Sequence, residues 1–381
     1  MRIRGITMKQ YREMKKLWAG SMGSLCQRFF CLHNSGNPGK YAKLLAKREI
    51  LTVNDIKISA VIPAYNSAKF ISRAIESVLA QSRGADEIIV VDDGSTDETV
   101  DIVGGFGGKV RLICQPNAGA SAARNAGIQA TAGNWIAFLD ADDQWLPDRL
   151  RLGVELLQRN PDLAWIAGNY LDCLCDQQRR AEHTPQKRCL GLLAGADYFE
   201  SYFYAWQKYI WGHADTMLIR KDALIKAGLF CTELPMANDI DMWLRVAYLY
   251  PKIGFVPQPL AVYHLGISGS IVRRHRKLPI YTDFIRRHIA LAEEHNKPEQ
   301  FRPCAAVAMK RWIRGLLFEA RSREIREMID TFPQFFSPAY RAFIKIATAF
   351  PRTTAAACHT FSRIIRILRL RGRVVREPNQ S

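Results

Sequence analysis

"NWIAFLDADDQWLPDRL", residues 134–150, sets a run of apolar side chains directly against a cluster of carboxylates. Trp135 to Leu139 reads as a short buried strand, and Asp140, Asp142 and Asp143 follow it at once. Two like charges about 4 Å apart repel by roughly 4 kcal/mol at an effective dielectric of 20. Such a cluster at a strand end calls for a solvated turn or for a divalent cation. Pro147 then opens "PDRLRLGVELLQRN" (147–160), a helix with proline in its first turn.

The same alternation extends on both sides. "KISAVIPAY" (57–65) reads as a strand, and "SAKFISRAIESVLAQ" (67–81) as a helix with Phe70, Ile71, Ala74, Ile75, Val78 and Leu79 on one face, Asn66 or Ser67 capping its start. "DEIIVVDDGSTDET" (86–99) is a second strand ending in Asp92, Asp93 and a Gly-Ser turn. "KVRLI" (109–113) is a third strand, "AGASAARNAGIQATA" (118–132) an Ala-rich helix and "LAWIAGNY" (163–170) a fifth strand after that of residues 134–143. Strand, helix, strand in this order predicts an α/β fold with a mostly parallel central sheet flanked by helices. In open sheets of this kind ligands bind beyond the carboxyl ends of the strands. Both acidic clusters follow strands, so two distant segments are expected to deliver carboxylates to one rim.

The chain has 381 residues and a net charge of +18, unevenly spread. Residues 1–50 carry 11 Lys/Arg against 2 acids, and residues 301–381 carry 16 against 5, which leaves the middle of the chain near neutrality. Basic ends favour an anionic partner, nucleic acid or a membrane surface. They lack regularly interleaved aromatics and the body is not basic, so a nucleic-acid binder is the weaker reading and no nucleic acid is expected as partner. "FSRIIRILRLRGR" (361–373) has the pattern of a basic amphipathic helix able to lie in an anionic membrane interface, and "AYRAFIKIATAF" (339–350) repeats it more weakly. The alternative is a helical cap over the core with its arginines in water. Nine cysteines without paired zinc-type spacing suggest free thiols in a reducing compartment, Cys173 and Cys175 included. No apolar segment follows the N-terminal charges as a secretory signal would require, and no stretch of 18 apolar residues is present. Three regions follow: a basic N-terminal extension (1–55), an α/β domain (56–275) and a basic helical C-terminal region (276–381).

Taken together, "SAVIPAYNSAKFISRAIESVLAQS" (59–82), "DEIIVVDDGSTDET" and "PNAGASAARNAGIQATAGNWIAFLDADDQWLPDRL" (116–150) resemble a family 2 glycosyltransferase, the inverting type with the GT-A nucleotide-sugar fold, of the kind that builds bacterial cell-surface polysaccharides. The likeness is dense over residues 58–150 and looser to 265. It implies an enzyme that moves a sugar from a nucleotide-sugar donor, with a UDP-sugar favoured, to an acceptor hydroxyl on a saccharide or lipid-linked saccharide. It implies a divalent cation, Mg²⁺ or Mn²⁺, bridging the donor diphosphate, and a cytoplasmic enzyme peripheral to the inner face of the cell membrane. Asp142 matches the direct metal ligand, Asp140 lies nearer the ribose as a weaker ligand, and His264 is a further candidate contact.

By the same resemblance Asp92 or Asp93, with Asp93 favoured, meets the nucleobase or ribose. Pro63, Ala64 and Tyr65 line the nucleobase pocket, and Arg124 faces the diphosphate. The general base matches Asp239 in "NDIDMWLR" (238–245), where Asn238 stands in the place of the family's Glu. A plain capping role for Asn238, with Asp239 and Asp241 in the first turn opposite the helix dipole, is compatible with that. Asp241, two residues on, is expected to point elsewhere. His213, ahead of "ADTMLIR", is a candidate for the acceptor side. A rival enzyme reading is nucleotidyl or phosphoryl transfer on a similar sheet, against which "PAYNSAK" stands where a Gly-rich first loop is expected.

Overall fold

The computed structural model describes residues 56–174, 179–234, 236–265 and 278–360. The N-terminal extension, the boundary near 275, Cys175 and the 361–373 segment therefore lie outside the described residues. Ten strands form one sheet in the order β3-β2-β1-β4-β9-β6-β10-β5, with β7 paired to β6 and β8 to β10. The first half is β1 (Ile58–Ala64), β2 (Glu87–Asp92), β3 (Arg111–Cys114) and β4 (Trp135–Phe138), joined by α1 (Ile71–Leu79), α2 (Thr99–Gly104) and α3 (Ala120–Ala130). All three pairings here are parallel. The register sets Ala64 beside Asp92 and Asp92 beside Cys114, so these strands end along one edge.

Burial explains the pattern. Every residue of β1 and of β4 is buried, as expected for strands covered on both faces. α1 buries Ile71, Ala74, Ile75 and Val78 of the anticipated face, whereas Phe70, at the cap position, is half-buried and Leu79 is exposed. α3 lies so close to β1 that a Cβ on Gly127 would overlap the Val61 side chain.

The second half is mixed. β5 (Gln144–Trp145), α4 (Arg149–Arg159), β6 (Trp165–Leu174), β7 (Arg179–Glu182), α5 (Gln186–Leu193), β8 (Tyr198–Phe199), α6 (Tyr202–Gln207), β9 (Leu218–Arg220), α7 (Lys221–Lys226), α8 (Asn238–Leu249) and β10 (Ile253–Leu265) follow in order. β9 runs antiparallel to both β4 and β6, while β6 and β10 are parallel. Because β9 opposes β4, the start of β9 lies beside the end of β4, and this reversal builds the site. Helices α9 (Leu278–Glu294), α10 (Pro298–Phe318), α11 (Ser322–Thr331) and α12 (Pro338–Ala349) follow, and residues 351–360 are helical as well. Their Phe284, Ile285, Cys304 and Ile313 share one apolar cluster with Tyr202, Phe203 and Trp243 of α6 and α8. The C-terminal helices thus extend the core of the α/β domain. Among the described residues no helix is long and apolar enough to cross a membrane.

Candidate active site

The two acidic turns meet through one helix. Asp93, which follows β2, accepts hydrogen bonds from Gln115 Nε2 (2.6 Å) and from the backbone N–H groups of Ala118 (2.9 Å) and Gly119 (2.7 Å) at the start of α3. One and a half turns on, Arg124 Nη2 donates to Asp140 Oδ1 at 2.5 Å. α3 therefore holds the 92–93 turn at its N-terminus and the 140–143 turn through its arginine. The convergence expected from sequence is present.

The β2 turn has two different carboxylates. Both Asp93 oxygens are engaged by its own chain. Asp92 Oδ2 accepts from Ser95 N–H at 3.0 Å, whereas its buried Oδ1 has no partner. A buried acceptor left unpaired is costly and points to a ligand or water. Gly94 is required here: its φ is +76°, and a Cβ would lie 2.9 Å from the Asn117 nitrogen. Asn66, itself at φ 49°, ties the end of β1 to this turn by accepting from Thr96 N–H at 2.8 Å. Pro63 and Ala64 are buried within β1, while Tyr65 stands 50% exposed at its end.

At the end of β4 the carboxylates are joined by residues from the β9 approach. The Asp140 N–H donates to Asp215 Oδ1 (2.8 Å), and Asp215 Oδ2 lies 2.8 Å from His213 Nδ1. Asp140, Asp143, His213 and Asp215 each offer a ligand atom, all within 4.8 Å of one another. Arg149, buried in α4 over the Trp145 ring, secures this approach by donating to the Asp215 carbonyl (2.8 Å) and the Met217 carbonyl (2.6 Å).

Three carboxylates crowded together need positive charge, and the electrostatics show how it is supplied. Burial depresses the His213 pKa, but the adjoining Asp215, helped by Asp140 and Asp239, outweighs it and raises the value to about 9. Burial, then Asp215 and Asp142, push Asp143 well above the usual carboxylate range. Asp215 is held down: burial opposes its charge, but His213 overcomes this. Arg124, His213 and a proton thus balance the acids. A hard divalent ion fits the same place, because three carboxylates and an imidazole are suitable donors.

The other expected residues lie around this group. Asp142 is half-buried just outside it, its pKa pushed up to about 6 by burial and then by Asp140 and Asp215. His264 donates its backbone N–H to Asp143 Oδ1 (2.7 Å), and its ring is 3.4 Å from the same oxygen. Burial, with Arg73 and Arg180, lowers its pKa to about 4, so the ring is neutral and free to ligate. Arg124 is buried, its guanidinium taken by Asp140 and stacked on Phe230, which makes it a brace of the acidic turn.

Asp239 opens α8, half-buried, with Oδ1 accepting from Ile240 N–H at 2.8 Å. Its charge helps raise the pKa values of both Arg124 and His213, after Asp140 for the one and Asp215 for the other. Asn238 is the first helical residue and not the cap. Ala237 occupies the cap position at φ 62°, and the Asn238 side chain donates to Ser121 Oγ (2.7 Å) at the start of α3. The amide that replaces a carboxylate here therefore aligns α8 on α3. Asp241 does point elsewhere, fully buried in an ionic group with Arg245, His288 and the partly exposed Arg287.

Asp215 is not marked by any motif of the sequence, and His213, a candidate for the acceptor side, lies beside it in the acidic group. The available signal was "HAD" ahead of a strand, which matters only once that strand is known to run against β4.

Comparison with known proteins agrees with this geometry. Residues 59–227 match the Glycosyl transferase family 2 profile. The uncharacterized glycosyltransferase YibD of Escherichia coli is 30% identical over 226 residues, 58% of this chain and 64% of that protein. The succinoglycan biosynthesis protein ExoO of Rhizobium meliloti is 51% identical over 100 residues, 26% of this chain and 29% of that one. Alignments with these relatives span less than two thirds of their length. Among solved structures, Staphylococcus aureus TarS 1–349 in complex with UDP-GlcNAc aligns with a TM-score of 0.50 at 16% identity, over 81% of this chain and 92% of that one, which shows a common fold. The α/β sheet with its acidic edge defines a GT-A-like domain. The chain carries a glycosyltransferase domain of family 2.

Proposed function

We propose that the protein is an inverting glycosyltransferase that moves a sugar from a UDP-sugar to an acceptor hydroxyl in polysaccharide synthesis, on a lipid-linked saccharide at the inner face of the cell membrane. One observation carries this reading: α3 joins the Asp93 turn to the Asp140 turn, through Gly119 at its start and Arg124 further on. The similar proteins support the substrate classes, UDP-GlcNAc from the TarS complex and succinoglycan from ExoO.

In this reading the nucleotide lies across the ends of β1 and β2, with Tyr65 at the base and the unpaired Asp92 oxygen toward it. Asp140, Asp143, Asp215 and His213, with Asp142 and His264 beside them, would hold a divalent cation. When bound, that ion supplies the positive charge that the departing diphosphate requires. Asp239 accepts the acceptor hydroxyl's proton as its oxygen attacks the anomeric carbon. The bond from that carbon to the diphosphate oxygen breaks on the opposite face, and configuration inverts. Arg124 keeps Asp140 in place while this happens.

A thermal-shift panel of UDP-, GDP- and dTDP-sugars, each with and without Mn²⁺, tests the proposal. A ligand at a hundred times its Kd stabilises by about 2.7 kcal/mol. A UDP-sugar with Mn²⁺ should raise the midpoint most, and the same mixture should release UDP slowly by transfer to water. No response to any nucleotide sugar, or labelling of the protein by a phosphodonor, would overturn it.

A further inference from the structure

α12 has two apolar faces. One packs inward through Ile344, Ala347 and Thr348. The other turns Phe343 and Ile346 to the outside, 57% and 67% exposed, and Phe350, the cap residue after Ala349, is 64% exposed. Phe343 and Ile346, three residues apart, lie on one helical face, and Phe350 follows at its end. The remaining large exposed apolar side chains are distributed over the rest of the described chain, and single ones of that kind need no explanation. A group of three does.

Charge along the chain from this helix onward is of one sign, although α11, packed against α12, carries Glu324, Glu327 and Asp330. From Thr331 to Arg376 the sequence contains nine Lys/Arg and no Asp or Glu. Three of those cations fall in the described part, with Lys345 and Arg352 exposed and Arg341 half-buried. The 21 residues after Thr360 add six arginines and one acid. A second copy of the chain is a poor occupant, because two such faces would bring cation against cation. A nucleic acid would engage the arginines but leave Phe343 and Ile346 in water. An anionic lipid surface uses both sets: apolar side chains enter the acyl boundary while Lys and Arg stay among the headgroups.

We propose that the outer face of α12 seats the protein on an anionic phospholipid surface, with Phe343, Ile346 and Phe350 inserted and Lys345 and Arg352 on the headgroups. This gives the membrane placement in the proposed function a surface, and it rests on none of the transfer chemistry, since none of these residues belongs to the acidic edge.

The test is co-sedimentation of the full chain with vesicles of phosphatidylcholine alone and of phosphatidylcholine with about 30% phosphatidylglycerol. The wild type should bind the anionic vesicles at least tenfold more tightly than the neutral ones. The triple variant F343S/I346S/F350S should lose at least tenfold on anionic vesicles, with its unfolding midpoint unchanged because these side chains already face water. The pair K345E/R352E should lose binding on anionic vesicles only. Equal binding to both vesicle types, or a folded triple variant that binds as well as the wild type, would overturn the proposal. So would a triple variant that changes from dimer to monomer on gel filtration, which assigns the face to a second copy. Duplex DNA displacing the vesicles while binding the triple variant undiminished would assign it to nucleic acid.

Discussion

Asp241 on α8 and His288 on α9 meet in the interior, with His288 Nε2 3.2 Å from Asp241 Oδ1 and neither side chain exposed. Arg287 Nε lies 3.1 Å from the same oxygen, and Arg245 holds Oδ2 at 2.7 and 2.9 Å. Arg245 also donates to the carbonyls of Ala227 and Leu229, in the turn ahead of α8. The helix that presents Asp239 to the acidic edge is therefore anchored, two residues later, on the C-terminal helices.

Acid should loosen this anchor. Burial opposes the Asp241 charge, but His288 and Arg245 overcome it and hold the pKa below the usual range. Burial depresses the His288 pKa more than Asp241 restores it. Both groups bind fewer protons folded than unfolded, so their stabilisation is complete above the unfolded histidine value of about 6.5 and is lost as pH falls. The unfolding midpoint of the wild type should drop between pH 7 and pH 5, and His288→Gln should flatten that slope. An unchanged slope in the variant would remove His288 from the account.

Removing the carboxylate should cost more than removing a histidine. Asp241→Asn leaves Arg245 buried among carbonyls without its counter-charge, and breaking a buried pair in this way costs about 3–5 kcal/mol. Urea denaturation at pH 7 measures it; a loss under 1 kcal/mol would mean that water replaces the carboxylate.

Much of this architecture is legible in the sequence. The burial pattern of β1 and β4 and the apolar stripe of α1 follow from spacing, and acids after strands predicted the shared rim. What stayed hidden depends on long-range pairing. The two-residue β5 carries no periodicity, and the antiparallel run of β9 decides where Asp215 goes although its own three residues say nothing about direction. Asn238 shows the limit in another way: a capping residue type at a helix start proves to be a strut to Ser121, because Ala237 takes the cap conformation.

Cation uptake should expel protons. The His213 pKa is raised to about 9 by Asp215 against the effect of burial, so the ring is charged at neutral pH and must lose its proton to ligate. Mn²⁺ affinity should therefore climb between pH 6.5 and pH 9, and calorimetry in buffers of different ionisation enthalpy should show proton release. Asp215→Asn should weaken Mn²⁺ at least tenfold if the four-residue group is the seat. Should Asp142→Asn alone produce that loss, the ion sits instead at the outer acid of the turn.

Asp239 provides the sharpest separation of binding from chemistry. Its side chain touches neither the β2 turn nor the Asp215 approach through any hydrogen bond seen in the structure; its one such contact is local, with Ile240 N–H. Asp239→Asn keeps size and this acceptor while removing the basic oxygen, so donor binding and fold should survive. Loss of a positioned general base lowers turnover by about 10²–10⁴. The expected result is a kcat reduced by that factor, a donor KM within about threefold of wild type and an unchanged thermal shift with UDP-sugar and Mn²⁺. Asp241→Asn should behave differently, lowering the unfolding midpoint together with turnover. Full activity in Asp239→Asn would mean that the acceptor's proton leaves by another route.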